Sequence, residues 1–341
     1  MNTLDDKSNP ILSLRALKMY YPASEGVFLH AKGQSQAFVK AVDGVDLDIF
    51  PGETLGLVGE SGCGKSTLGR MMVRLEHPTS GEVLFEGENI TDYNEHKLKN
   101  IRSQLQFIFQ DPYSSLNPKR RVVDILSEPI LTHKILPAKS VPERVDELLS
   151  IVGLSGDYRN RFPHELSGGQ RQRIGIARAL SMNPKLIVCD EPVSALDVSI
   201  QAQILNLLAE LQQKYQLSYL FIAHGLGAVR YISDRIAIMY LGKMIEVADA
   251  EEIFRNPIHP YTRALLDAYP VPNPHLRGEK RMIISGEPPS PANPPSGCRF
   301  HTRCPFADAE CSLREPILTG DAHQVACLKA DTLKSGRRSN C

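Results

Sequence analysis

The 341 residues carry 39 Lys and Arg against 39 Asp and Glu, with 42% apolar and 23% charged residues. This ordinary, balanced composition predicts a folded protein of one large domain with an appendage, or of two domains, and it lacks the basic excess of a general nucleic-acid binder. No apolar run approaches the about eighteen residues of a membrane helix, and the polar, acidic start MNTLDDKSNP is unlike a secretory signal, so the chain is expected to stay in the cytoplasm.

Residues 12–20 alternate like a half-buried strand until Tyr20-Tyr21-Pro22 breaks the pattern, and a polar insertion containing glycine occupies 23–39. Alternation resumes over 41–49, with apolar residues at every second position. The short apolar run Thr54-Leu55-Gly56-Leu57-Val58 has the length of a buried strand. It leads into Gly59-Glu60-Ser61-Gly62-Cys63-Gly64-Lys65-Ser66-Thr67, which fits G-x-x-x-x-G-K-[ST]; Leu68, Met71, Met72 and Leu75 then recur at helical spacing. Glycines let backbone N–H groups converge on an anion without Cβ clashes, and the helix N-terminus adds its partial positive charge. Lys65 is expected to reach the β- and γ-phosphates, and Ser66 to offer its hydroxyl to Mg2+. A glycine-rich turn that binds nothing is the bland alternative, and the flanking strand and helix weigh against it. The chain is expected to bind a nucleoside triphosphate.

Residues 105–110 read as a strand ending in Gln110, followed by loops at Asp111-Pro112-Tyr113 and Asn117-Pro118. A helical pattern runs from Val122 to about Phe162, so 113–165 is expected to be a helical subdomain inserted into an α/β core. His164-Glu165-Leu166-Ser167-Gly168-Gly169-Gln170 opens a helix that continues through Leu180. The apolar strand 186–190 ends in Asp190 and is followed directly by Glu191-Pro192. A turn at 194–197 precedes an amphipathic helix over about 199–214, and the strand 219–223 ends at His224. Residues 236–240 and 244–247 read as a closing hairpin. Beyond about 255, prolines at 270, 272, 274, 288, 289, 291, 294 and 295 are too dense for regular structure. Of seven cysteines, Cys298, Cys304, Cys311 and Cys327 fall within thirty residues. In a reducing compartment such a cluster is a metal site more often than a disulfide framework. The last residues, 331–341, read as a disordered basic tail.

The chemistry lies in how these pieces combine. Ser167, Gly168, Gly169 and Gln170 at a helix start make a second anion site of the same physical kind as the phosphate loop. One protein has no use for two such sites on one nucleotide unless a second copy faces it. Asp190 at a strand end suits Mg2+ held through water, and Glu191 beside it suits polarising the attacking water. Phosphoryl transfer needs placement and charge neutralisation more than covalent chemistry, so these parts suffice. At this point residues 12–250 resemble the nucleotide-binding subunits of ABC transporters. The resemblance implies an α/β, RecA-like P-loop NTPase core with an antiparallel β subdomain and an inserted helical subdomain, the ATPase domain spanning 1–250. It implies ATP sandwiched head to tail, with Ser167 and the following glycines of one subunit touching the γ-phosphate held by the other. It further implies Gln110 as the Q-loop glutamine touching magnesium, His224 as the switch histidine on the γ-phosphate and Asp197 as the D-loop aspartate at the dimer interface. Tyr21, directly before Pro22, is chosen over Tyr20 as the residue that stacks on adenine; core packing is the alternative. Where the family usually has an acidic residue after the switch histidine, this chain has Gly225.

A narrower resemblance covers the rest. Three segments carry it: Asn256-Pro257-Ile258-His259-Pro260-Tyr261-Thr262-Arg263-Ala264-Leu265-Leu266, Gly286-Glu287-Pro288-Pro289-Ser290-Pro291, and Asp111-Pro112-Tyr113-Ser114-Ser115-Leu116-Asn117-Pro118. They are similar to the second, "F"-type ATPase subunits of oligopeptide and dipeptide importers. That implies a peripheral ATPase on the cytoplasmic face of the cell (inner) membrane, partnered by a sister ABC ATPase or a second copy, two transmembrane permease subunits and an extracytoplasmic peptide-binding protein, with no nucleic acid. Nickel, glutathione and glycoside importers share these elements, and a soluble non-transport ABC ATPase is the rival from another class. Residues 251–330 are expected to form an irregular, metal-binding C-terminal extension. Its cysteines lack a tight C-x2-4-C pair, four thiolates on irregular loops can hold a 4Fe-4S cluster, and the importer family resembles this arrangement. That cluster is the first expectation, Zn2+ the second and unligated thiols the third, in a structural or regulatory role that no motif places near ATP.

Overall fold

The computed structural model describes residues 9–22, 38–113, 115–223, 225–268, 282, 284 and 286–335. Strands β1 (Leu12–Pro22) and β2 (Phe38–Ile49) pair antiparallel, as their alternation predicts. The alternation is not simple, however. A bulge between Leu14 and Leu17, where Ala16 takes a φ of 45°, resets the parity so that Leu12, Leu14, Leu17 and Met19 all stay buried. The chain then leaves this sheet as β3 (Thr54–Val58), buried along its whole length, and enters α1 (Lys65–Met72) through the glycine-rich loop. β4 (Ser80–Phe85) and β5 (Glu88–Asn89) return to complete a four-stranded sheet of order β2-β1-β4-β5.

After α2 (Glu95–Gln104) comes β6 (Leu105–Ile108), which stops two residues short of Gln110: Phe109 and Gln110 are already exposed. Helices α3 (Val122–Thr132), α4 (Val141–Ile151) and α5 (Gly168–Leu180) pack on one another through Leu126, Ile130, Leu148, Leu149 and Ile174. Then follow β7 (Leu186–Asp190), α6 (Val198–Tyr215), β8 (Ser218–Ala223), α7 (Leu226–Ile232), β9 (Arg235–Tyr240) and β10 (Lys243–Asp249). β9 and β10 form the expected hairpin. Its two-residue turn, Leu241-Gly242, has φ of 42° and 79°, the positive pair that matches strand twist.

The second sheet has the order β11-β10-β9-β3-β8-β7-β6, with β11 (Gln324–Val325) supplied by the C-terminal extension. β9, β3, β8, β7 and β6 are mutually parallel, and β10 and β11 run antiparallel to their neighbours. Period-two alternation divides its side chains between two cores. Ile187, Cys189, Tyr219, Phe221, Ile236 and Ile238 face the helical side, while Leu186, Val188, Leu220, Ile222, Ala237 and Met239 face α1 and the antiparallel sheet. One sheet thus anchors both halves.

The extension carries α8 (Ala250–Arg255), α9 (Pro260–Ala268), α10 (Ala309–Leu313) and α11 (Ala330–Ser335). The proline-rich stretch 286–297 forms no helix or strand, as its composition predicts. The tail expected over 331–341 is helical in its first residues, and 336–341 lie outside the described residues. Residues 330–335 are helical because Leu333 is buried and its carbonyl accepts a hydrogen bond from Arg263 Nη2 at 3.0 Å. Tyr261 and Phe300 sit in the same core as the central strands, so the extension shares the core of the α/β domain.

Candidate functional site: a phosphate loop beside two carboxylates

β8 lies between β3 and β7, all three parallel, so the loop after β3 and the carboxylates after β7 emerge at the same edge of the sheet. Gly64 caps α1 with a φ of 107°, and a Cβ there would lie 2.0 Å from the carbonyl oxygen of Ala41. Only glycine lets the loop press this closely on β2. Lys65 is buried, and its Nζ donates to the carbonyls of Gly59 at 2.8 Å and Glu60 at 3.0 Å, closing the loop on itself. Ser66 Oγ donates to Asp190 Oδ1 at 2.8 Å, bringing together residues 124 apart in sequence.

Glu191 is buried and takes a φ of 46°, a left-handed conformation that costs a non-glycine residue of the order of 1 kcal/mol or more. That turn is held by its N–H, which donates to the carbonyl of Ile222 at 3.0 Å, and by Ser194 N–H and Oγ, which both donate to its carbonyl. The kink aims the carboxylate back across the strand ends, where Glu191 Oε2 accepts from Gln110 Nε2 at 2.7 Å. Gln110, Ser66, Asp190 and Glu191 are thus linked in pairs at one edge. His224, the expected switch histidine, lies outside the described residues.

Ser167 caps α5 through a reciprocal box: Gln170 N–H donates to its Oγ at 3.3 Å, and its own N–H donates to Gln170 Oε1 at 2.9 Å. Gly169 is buried, and a Cβ there would meet Ile200 Cγ2 at 2.6 Å, so glycine sets the approach of α5 to α6. The side chains of Ser167 and Gln170 bond locally and to Tyr158, not to the phosphate loop of the same chain. Ser167 and Asp197, which caps α6, are both exposed.

The two tyrosines differ. Tyr20 donates its hydroxyl to Asp43, and burial, reinforced by that carboxylate, pushes its pKa up to about 12. Tyr21 is 37% exposed near the end of β1, with its hydroxyl on Glu76. Its pKa is raised by burial and by Glu76, and Thr67 of the phosphate loop acts on the same hydroxyl in the opposite sense.

Cys298, Cys304, Cys311 and Cys327 line one small cavity with His259, Phe300 and Leu333. Burial pushes the Cys298 thiol up to about 11, and the other three sulfurs add to the shift. The expected metal-binding geometry is not present as such: among the described residues, no group of three or more His, Cys, Asp or Glu side chains is arranged to hold a metal ion. The segment also reaches the nucleotide motifs, a proximity that no motif in the sequence indicates. Arg303, next to Cys304, bonds Glu60 inside the phosphate loop at 3.0–3.2 Å, and Tyr261 OH accepts from Glu60 N–H at 2.9 Å. No local pattern signals these two residues, because their partner lies more than two hundred positions away.

Residues 42–194 match the ABC transporter family, and 245–311 match the C-terminal region of oligopeptide/dipeptide transporters. The oligopeptide transport ATP-binding protein AppF of Bacillus subtilis is 53% identical over 323 residues, covering 93% of this chain and 96% of the relative. OppF of Salmonella typhimurium, also an oligopeptide transport ATP-binding protein, is 49% identical over 98% of this chain and 100% of its own. The dipeptide transport ATP-binding protein DppF of Haemophilus influenzae is 47% identical over 95% and 98%. Among solved structures, the dimeric post-hydrolysis ATP-binding cassette MJ0796 with ADP and Pi superposes with a TM-score of 0.61 at 28% identity, covering 70% of this chain and 98% of that one. The chain belongs to the ATP-hydrolysing cassette subunits of ABC transporters, in the branch that carries the oligopeptide/dipeptide transporter C-terminal region.

Proposed function

We propose that this chain energises uptake of di- and oligopeptides from the cytoplasmic face of the membrane. It does so with a sister ATPase or a second copy, two permease subunits and a peptide-binding protein outside. Among the described residues no helix is long and apolar enough to cross a membrane, so attachment falls to the permeases. The observation that carries the catalytic part is the Gln110–Glu191 hydrogen bond beside the Ser66–Asp190 pair, which joins the loop leading into the helices to the base at the nucleotide edge.

In this reading the amides of residues 59–67 and the N-terminus of α1 receive the phosphates, and Lys65 turns from the loop carbonyls to the β- and γ-phosphates. The hydroxyl of Ser66, the carboxylate of Asp190 and the amide oxygen of Gln110 are hard oxygen donors at one edge, a set suited to Mg2+, which neutralises charge on the phosphates when bound. Glu191 orients and deprotonates the attacking water, and His224 contacts the γ-phosphate. Ser167 and Asp197 are exposed, Gly168 and Gln170 half-buried and Gly169 buried behind them, and together they serve the nucleotide of the facing subunit. Tyr21 stacks on adenine. Tyr21→Ala is expected to weaken MgATP binding about fivefold, as loss of one aromatic face does, whereas Tyr20→Phe changes it less than twofold in the same titration. An unchanged affinity in Tyr21→Ala removes the stacking role.

The cysteine cavity is read as a 4Fe-4S site. In such a cluster each thiolate takes a different iron, so four sulfurs around a common cavity fit it without converging on one ion. When bound, the cluster staples the loops of the extension. Anaerobically purified protein is expected to carry about four iron and four sulfide per chain, and Cys311→Ser to lose them. Stoichiometric zinc without sulfide overturns the iron–sulfur reading.

The cargo is tested by ATPase assays of the assembled transporter in lipid. Stimulation by peptide-loaded binding protein supports the peptide reading; stimulation by nickel chelates, glutathione or sugars alone replaces it.

A further inference from the structure

We propose that Arg303, on the cysteine-bearing extension, is a positioning residue for the phosphate loop. It neutralises Glu60 and, together with Tyr261, holds the first turn of the loop in the form that receives phosphates. The inference rests on the reading of residues 59–67 as the nucleotide site.

Every polar group of Glu60 is held. Its N–H donates to Tyr261 OH at 2.9 Å, its carbonyl accepts from Lys65 Nζ at 3.0 Å, and its carboxylate takes both arms of Arg303. Two of these three restraints come from the extension. In a loop rich in glycine, whose backbone has the most freedom to lose, such restraints decide which conformation is populated. The anchors are themselves rigid. Tyr261 is fully buried, its ring 4.7 Å from Tyr240 and 5.4 Å from Phe300. Arg303 is 8% exposed in its side chain and reaches Tyr240 OH at 3.3 Å as well. It sits on the one-turn 3-10 segment His301–Arg303, between Cys298 and Cys304, closed by Arg303 N–H to the carbonyl of Phe300 and Cys304 N–H to that of His301.

Charge gives the pair its second role. A carboxylate within the loop opposes an incoming polyphosphate, and the guanidinium cancels that opposition while staying out of the nucleotide's way. Docking of the extension does not depend on this pair. Arg299 separately binds Asp43 and the carbonyl of Leu241, and β11 pairs with β10. Loss of Arg303 is therefore expected to free Glu60 rather than detach the extension.

The test is a double-mutant cycle on the full-length chain, with MgATP affinity by equilibrium titration and a thermal melt in parallel. Arg303→Gln is expected to raise the Kd for MgATP about tenfold. In a Glu60→Gln background, where no carboxylate is left to neutralise, the same change is expected to raise it less than about twofold. Arg303→Lys restores charge without the fork and is expected to fall between. If Arg303→Gln does not fold, Arg303→Lys carries the comparison across the two backgrounds. An unchanged Kd, or an equal rise in both backgrounds, assigns Arg303 to fixing the extension alone and overturns the proposal. Failure of the unsubstituted chain to bind MgATP overturns the nucleotide-site reading itself.

Discussion

Glu191→Gln is expected to leave MgATP affinity within about twofold and to lower turnover at least a hundredfold, the scale of a lost general base at a preorganised site. The substitution preserves shape. The amide oxygen of Gln still accepts the 2.7 Å bond that Gln110 Nε2 donates, and the left-handed backbone at this position, with a φ of 46°, is held by Ile222 and Ser194 rather than by the side chain. What is lost is the negative charge that draws a proton from water. Because Ser66–Asp190 and the loop amides are untouched, ground-state binding is retained and the defect falls on kcat. Turnover within twofold of the unsubstituted protein, in a preparation free of contaminating ATPase, contradicts the assignment.

The second large effect is expected from one added methyl group. Gly64→Ala places a Cβ 2.0 Å from the carbonyl oxygen of Ala41 and 2.9 Å from Met239 Cε, at a φ of 107° that L-residues rarely adopt. The neighbour is backbone of a paired strand and does not yield, so the loop and the N-terminus of α1 must retreat from the sheet. Loss of about 2–3 kcal/mol of stability is expected, together with a fall of about a hundredfold in MgATP affinity. Gly62→Ala is the control. Its φ of 75° is also strained, but nothing lies within 4 Å of the added atom, so the stability cost is expected near 1 kcal/mol. Equal effects of the two substitutions, read in thermal melts and nucleotide titrations, contradict the account of why Gly64 is glycine.

These sites differ in how far the sequence announces them. β3, the phosphate loop, β7 and the hairpin turn at Leu241-Gly242 are legible because their signals are local: apolar runs of strand length, glycines at fixed offsets, a turn between alternating segments. The bulge at Ala16 is not, because parity within a strand cannot show where an extra residue is absorbed. β6 reads two residues too long, since Phe109 continues the apolar pattern although it is exposed. Helix α11 is hidden in a basic tail because its stabilisation comes from Arg263 and a buried Leu333 rather than from periodicity. In the site, Glu191 stands out by its place after an apolar strand, whereas its bond to Gln110 joins positions 81 apart. The largest omission is the extension. Its prolines and cysteines mark it as irregular, and no pattern signals that Arg303 and Tyr261 reach back to Glu60. Such contacts are set by the topology of β10, β11 and α9, which no short window contains.

The central claim is that hydrolysis at this site drives peptides across a membrane. Its most direct measurement is uptake of a labelled oligopeptide by vesicles that hold the complete transporter, with MgATP on the side of this subunit and binding protein on the other. The account predicts accumulation above the external concentration with the unsubstituted chain, and none with Glu191→Gln in this subunit and its sister. Hydrolysis without peptide accumulation, or equal accumulation with the substituted ATPases, contradicts it.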